Sequence, residues 1–365
     1  MSSVEADFFL RAAEARQFGL KLRAWFRRRG RALPWRLSRD PYRIWVSEVM
    51  LQQTRAAAVV PYYERFLARY PDLQALARAP EAEVLESWSG LGYYSRARNL
   101  RRAAQEIVGA REGKMPRTWQ EWTELPGVGP YTAAAVASIA FGDPVAVLDG
   151  NVARVAARLT DYRRETGSAR SREYLRGVAV ALLDRRNPGE FNQALMELGA
   201  TVCLPRSPRC GLCPVRSHCQ AFALGVQEEV PVRPRRRRSV RLCVSVAVVE
   251  RGGKVLVAQR PPEASRMAGF WELPQAEGRE PEPDCFSHLG VRLGPAVGEF
   301  RHSITYHEYR VTVRQGILRG RRPDGCRWVA RERLNALPLT TISRKALRLA
   351  AGPTAPRGAV AGRCQ

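Results

Sequence analysis

No histidine occurs before residue 200 of this 365-residue chain, and all four histidines lie beyond it. Acid–base chemistry in the first half therefore falls first to carboxylates. Lysine is almost as scarce: Lys21, Lys114, Lys254 and Lys345 are the only four, so arginine supplies nearly all of a net charge of +25. Such a charge points to a polyanionic partner, nucleic acid first, although an arginine bias also follows from genome composition. No apolar run approaches the roughly 18 residues of a membrane span. Residues 1–7 carry acids and no basic cluster ahead of an apolar run, unlike a secretory signal. No membrane association is expected. Eight cysteines, four of them closely grouped, favour metal binding in a reducing cytosol over a disulfide framework.

From residue 8 to about 224 the pattern is helical. Apolar positions recur at three- and four-residue spacing in 59–67, 82–88, 133–140 and 152–159. Residues 227–239, centred on Pro231-Val232-Arg233-Pro234-Arg235-Arg236-Arg237-Arg238, are too charged to bury anything and read as a basic linker. Beyond it, β-branched residues cluster in 240–249 and 255–259 around the turn Arg251-Gly252-Gly253, a hairpin signal. Residues 309–318 read as another strand, and 331–337 and 344–350 as short helices. The small, polar residues 351–365 read as a disordered tail.

Three segments carry the candidate chemistry. Asp40 is a good N-cap, Pro41 suits the first turn, and Tyr42, Trp45, Val46, Val49 and Met50 form an apolar stripe at helical spacing. Glu48, Gln52 and Arg55 fall on a separate face, either a solvated polar face or part of a site. Leu125-Pro126-Gly127-Val128-Gly129 reads as a turn needing glycine freedom, with Pro130 opening the next helix. It is either an ordinary connector or a positive helix end that binds phosphate. Asp149 precedes a helical run, where it can cap the helix and remain ionised beside the free N–H groups. Cys203, Cys210, Cys213 and Cys219 have the spacing C-x6-C-x2-C-x5-C. Only the middle pair is spaced as zinc ligands usually are, whereas four thiolates in one compact loop can ligate a [4Fe–4S] cluster. Zinc, with His218 as a possible ligand, stays open on spacing alone.

Ser47-Glu48-Val49-Met50-Leu51-Gln52-Gln53-Thr54, the Leu125–Pro130 turn, Leu148-Asp149-Gly150-Asn151 and the cysteine spacing together resemble the adenine DNA glycosylases, the MutY family of the helix-hairpin-helix repair enzymes. The resemblance covers roughly residues 20–350 and is looser in the second half. It implies an all-α helix-hairpin-helix glycosylase domain over 1–226 with a [4Fe–4S] loop, the linker, and an α+β Nudix-like domain over 240–350. Glu48 would be the catalytic acid and Asp149 the stabiliser of a sugar cation, with Tyr131 and Asn151 positioning the site. Arg31, Trp35 and Arg36 would line the base pocket. Leu51, Gln52, Gln53 and Tyr93 would probe the duplex around the lesion, Gly127 and Gly129 would anchor it, and Gln193 in Phe191-Asn192-Gln193 would read the flipped adenine. Tyr94 suits either stacking or the core. Related endonuclease III enzymes carry a Schiff-base lysine where Tyr131 stands in this chain.

In the second domain, Gly269-Phe270-Trp271-Glu272-Leu273-Pro274 looks Nudix-like. Residues 275–290 lack the glutamate-bearing helix that holds magnesium, so no pyrophosphatase activity is expected. The stretch 300–307 aligns with the loop through which the family reads 8-oxoguanine, with Thr305 where a serine is usual and with Ile304 and Tyr306 departing from the pattern. The resemblance implies a monomeric, monofunctional adenine glycosylase acting on double-stranded DNA with A·8-oxoguanine or A·G mispairs, cytoplasmic and nucleoid-associated. An endonuclease III-like glycosylase/lyase for oxidised pyrimidines is the alternative, and a non-catalytic DNA-binding iron–sulfur protein a third reading.

Overall fold

A computed structural model describes residues 12–232, 239–261, 263–264, 267–278, 286, 289–304 and 306–351. Thr305, residues 233–238 of the basic run, residues 352–365 of the tail and most of 279–288, where a Nudix magnesium helix would fall, lie outside the described residues. The chain divides into two units, residues 1–235 and 236–365.

The first unit is helical: α1 (Ala12–Arg29), α2 (Pro41–Leu51), α3 (Ala56–Arg69), α4 (Leu73–Arg78), α5 (Glu81–Ser87), α6 (Ser95–Ala110), α7 (Trp119–Thr123), α8 (Pro130–Val136), α9 (Gly150–Leu159), α10 (Ala169–Leu182), α11 (Pro188–Thr201) and α12 (Gln220–Ala223). One core gathers Phe18 and Leu22 of α1, Val152, Val155 and Leu159 of α9, Leu175 and Leu182 of α10, and Phe191 and Leu198 of α11. The apolar stripe of α2 is wholly buried, with Trp45 and Trp122 in ring contact at 5.5 Å.

Asp40 caps α2 as its sequence demands, accepting from Tyr42 N at 2.8 Å. The helix is shorter than its pattern, however. It stops at Leu51, Gln52 is its C-cap and Arg55 is the N-cap of α3. Glu48, Gln52 and Arg55 therefore do not share one helical face, and Glu48 is buried rather than solvated. The cause is Arg96, a buried arginine that donates to the carbonyls of Val49, Met50 and Gln52 at 2.6–2.9 Å and to those of Leu91 and Gly92. One guanidinium thus takes the end-of-helix acceptors that a further turn would have used.

α7 and α8 are joined by the glycine turn. Gly127 has φ +73°, and a Cβ there would stand 2.4 Å from Asn99 Cβ, so glycine is obligatory. Gly129 is different: its φ is −84° and a Cβ would meet nothing within 4 Å. The backbone freedom expected of both is needed at Gly127 only. The helix predicted over 133–140 runs on from α8 as a π-helical turn, Ala137–Phe141, closed by Gly142 at φ +75°.

The second unit is a sheet of β1 (Val240–Arg251), β2 (Lys254–Gln259), β3 (Trp271–Glu272), β4 (Gln275–Gly278), β5 (Val291–Ile304), β6 (His307–Leu318) and β7 (Cys326–Ala330), with α13 (Thr341–Ala350). Strand order is β3-β2-β1-β6-β5, with β4 also on β1 and β7 on β2. β1 and β6 run parallel from Val240↔His307 to Val249↔Gly316. The β1 alternation sends Val244, Val246 and Val248 into one core and Ala247 and Val249 into another, so both faces are covered. The helix expected over 331–337 is a 3₁₀ segment, Arg331–Ala336. Among the described residues no helix is long and apolar enough to cross a membrane.

Candidate active site and iron–sulfur loop

α2 carries Glu48 to the floor of a cleft of about 1250 Å³ in the first unit. Glu48 is only 4% exposed. Tyr131 Oη, on the first turn of α8, donates to Glu48 Oε2 at 2.7 Å and lies 3.2 Å from Met196 Sδ. Burial pushes the Glu48 carboxyl up to about 7; Tyr131 counters this, the charge of Asp149 adds to it and Arg36 opposes it. Burial and the neighbouring carboxylates push the Tyr131 hydroxyl well above its ordinary range, which keeps it a donor.

Asp149 lines the same cleft. It is the N-cap of α9, accepting from Val152 N at 2.7 Å and from Asn151 Nδ2 at 2.8 Å. Asn151 is in turn fixed by Arg154, whose Nη2 donates to Asn151 Oδ1 at 2.9 Å and to Gly199 O at 2.8 Å. α11 reaches this spot because Gly199 has no side chain; a Cβ there would stand 2.6 Å from Asn151 Cβ. Burial raises the Asp149 carboxyl above its ordinary value, against the hydrogen bonds of Val152 and Asn151 and the charge of Arg154. The expectation that the cap alone sets its charge thus missed the burial. Glu48 accepts one hydroxyl, whereas Asp149 accepts a main-chain amide and a side-chain amide. The arrangement places the more easily retained proton on Glu48.

Arg31, Trp35, Arg36, Leu51, Gln52, Gln53, Gly127, Gly129 and Gln193 all line this cleft with Glu48, Tyr131, Asp149 and Asn151. Tyr93 does not line it: it lies 48% exposed with φ +48°. Gln53 likewise has φ +59°. Both are held by the Arg96 knot that grips the chain on either side. Tyr94 belongs to the core. Thr305 lies outside the described residues, between the paired ends Ile304 and His307 of the β5–β6 hairpin.

Sequence reasoning missed Glu197. Its side chain is fully buried and accepts from Arg31 Nε at 2.7 Å, Arg31 Nη2 at 2.8 Å and Arg36 Nη2 at 2.8 Å. Those contacts hold its carboxyl down at about 2 despite burial. The only local signal was its place four residues beyond Gln193, on the same side of α11; the arginines that define its role lie more than 160 residues away. Asn192 proves structural, bonding Ser138 Oγ, Val145 O and Val147 N.

The four grouped cysteines form the loop after α11. Burial pushes Cys213 up to about 12 and Cys219 up to about 11, and the neighbouring thiols add to the cost of ionising either one. Such a set is a poor home for free thiolates and a good one for a multivalent cationic centre. Arg158, 2% exposed, donates to Cys203 Sγ at 3.2 Å and to the carbonyls of Leu204 and Val230. Among the described residues, no three His, Cys, Asp or Glu side chains gather closely enough to hold a single ion. A cluster, which spreads its thiolates over several irons, does not ask for that convergence.

Residues 46–179 match the family described as HhH-GPD superfamily base excision DNA repair protein. Residues 203–219, from the first to the last of the grouped cysteines, match the iron-sulfur binding domain of endonuclease III, and residues 245–349 match a NUDIX domain. An adenine DNA glycosylase of Homo sapiens is 35% identical over 94% of this chain and 76% of its own length. That of Mus musculus is 35% identical over 93% and 79%. Among solved structures, a thermostable thymine-DNA glycosylase superposes with a TM-score of 0.52 at 29% identity, over 57% of this chain and 97% of that one. The chain is a DNA glycosylase of base excision repair with a [4Fe–4S] cluster, and it belongs to the adenine DNA glycosylase (MutY) family.

Proposed function

We propose that this chain hydrolyses the glycosidic bond of adenine paired with 8-oxoguanine, and more weakly with guanine, in duplex DNA. The observation that carries the reading is one cleft holding a buried Glu48 under the Tyr131 hydroxyl and Asp149 at the head of α9. Adenine must leave the stack before that bond is reachable. Glu48 donates its proton to a purine ring nitrogen as the N9–C1′ bond breaks and its electron pair leaves with the base. Asp149 stabilises the oxocarbenium ion that remains. Water adds to C1′, and its proton returns to Glu48, giving adenine and an abasic deoxyribose. This division between a protonated and an ionised carboxyl is general to sugar-cation chemistry.

Arg31, Trp35, Arg36 and Gln193 receive the base, while Leu51, Gln52, Gln53 and Tyr93 fill or probe the duplex it leaves. Gly127 and Gly129 present the α8 end to phosphate. The enzyme is monofunctional in this reading, because Tyr131 stands where a lyase needs an amine and no lysine lines the cleft. Cys203, Cys210, Cys213 and Cys219 hold the cluster, which stiffens the loop while Arg206 and Arg209 face phosphate. The second domain, with Thr305 at its hairpin, reads the 8-oxoguanine, and the enzyme acts as a monomer.

Single-turnover assays on duplexes with adenine opposite 8-oxoguanine, guanine or thymine test this reading. Adenine should be released fastest opposite 8-oxoguanine, then guanine, with no borohydride-trapped adduct. Equal rates on all three would refute the specificity, and trapping at residue 131 would favour the endonuclease III-like alternative.

A further inference from the structure

Two of the arginines that line the cleft, Arg31 and Arg36, are already committed to Glu197. Two others are not. Arg172 and Arg176 stand one turn apart on α10 and both line the cleft that holds Glu48 and Asp149. An adjoining face of α10, carrying Ser171, Leu175, Val178 and Leu182, is buried and anchors the helix against rolling to take the pair away. Among the described residues, no ion pair, ring contact or side-chain hydrogen bond engages either guanidinium. Glu173, between them in sequence, does not line the cleft, and the three carboxylates that do (Glu48, Asp149, Glu197) already have donors.

We propose that Arg172 and Arg176 are a phosphate clamp that grips the backbone on either side of the extruded nucleotide. The inference rests on the reading of this cleft as the place where that nucleotide is received. A guanidinium lining the cleft that receives the extruded nucleotide is placed to meet the phosphodiesters flanking it. A guanidinium fork suits a phosphodiester. Thr166 and Gly167, at the turn before α10, line the same wall without adding an acid. The pair would lower the free energy of the extruded state, acting as positioning residues rather than on the reacting atoms.

The test is equilibrium binding over a salt series. One probe carries 2′-fluoro-2′-deoxyadenosine opposite 8-oxoguanine, whose electron-poor sugar resists cleavage; the other is the matched duplex. Replacing both arginines (Arg172→Ala with Arg176→Ala) should reduce the slope of log K against log[salt] on the fluoro probe by about 2. Affinity for that probe should fall roughly tenfold per arginine, the matched duplex should change far less, and the lysine pair should restore most of the slope. The glutamine pair repeats the measurement if the alanine pair melts early. An unchanged slope, or equal losses on both duplexes, overturns the proposal. Excision of unmodified adenine by the wild-type chain separately decides the underlying reading, so the two failures are distinguishable.

Discussion

Glu48→Gln is expected to slow single-turnover release of adenine by roughly 10²–10⁴, the usual worth of a positioned general acid. Glutamine keeps the size and can still accept the Tyr131 hydroxyl, so the cleft should stay intact and lesion DNA should still bind. Stability gives an independent check on this substitution. Because burial raises the Glu48 carboxyl to about 7, the folded chain holds a proton there that the unfolded chain has released. Stability from this group is therefore lost as pH rises from the ordinary carboxyl value through about 7. Above that window the variant should melt no lower than the wild type. A variant that melts lower at alkaline pH, or excises at the wild-type rate, would rule out Glu48 as the buried general acid.

Asp149→Asn should cost nearly as much, roughly 10²–10³ in rate, the scale of removing one preorganised electrostatic group. Asparagine caps helices as well as aspartate does, so the Val152 amide keeps its acceptor and the melting temperature should hardly move. The substitution removes the charge and keeps the helix cap, losing only the Asn151 bond to the second oxygen. A loss of rate explained by unfolding would show as an earlier melt; a loss without one isolates the charge. The double variant should lose little beyond either single one, because the two carboxyls act on one event.

Much of this was legible in the chain. The capped start of α2, its buried stripe, the obligatory Gly127, the cap at Asp149 and the cysteine spacing are local signals, set by neighbours within a few residues. What was not legible depends on distant partners. Nothing in Gln52-Gln53-Thr54 announces that α2 stops, because the stop is imposed by Arg96 more than forty residues on. Glu197 reads as one more helical glutamate until Arg31 and Arg36 close on it from 166 and 161 residues away. The net raising of Asp149 likewise needs burial, which the cap motif does not encode. In the second unit the parallel pairing of β1 with β6, sixty-odd residues apart, carries no local signature, whereas the Arg251-Gly252-Gly253 hairpin does.

The central claim is that one carboxyl, Glu48, keeps its proton near neutrality while facing a second that stabilises charge. The pH dependence of the single-turnover rate on adenine opposite 8-oxoguanine tests it most directly. A buried acid titrating at about 7 predicts a rate that falls towards tenfold per pH unit above that point, with the limb missing in Glu48→Gln. A rate that stays flat well above neutrality in the wild type, or a limb that survives the substitution, would contradict it.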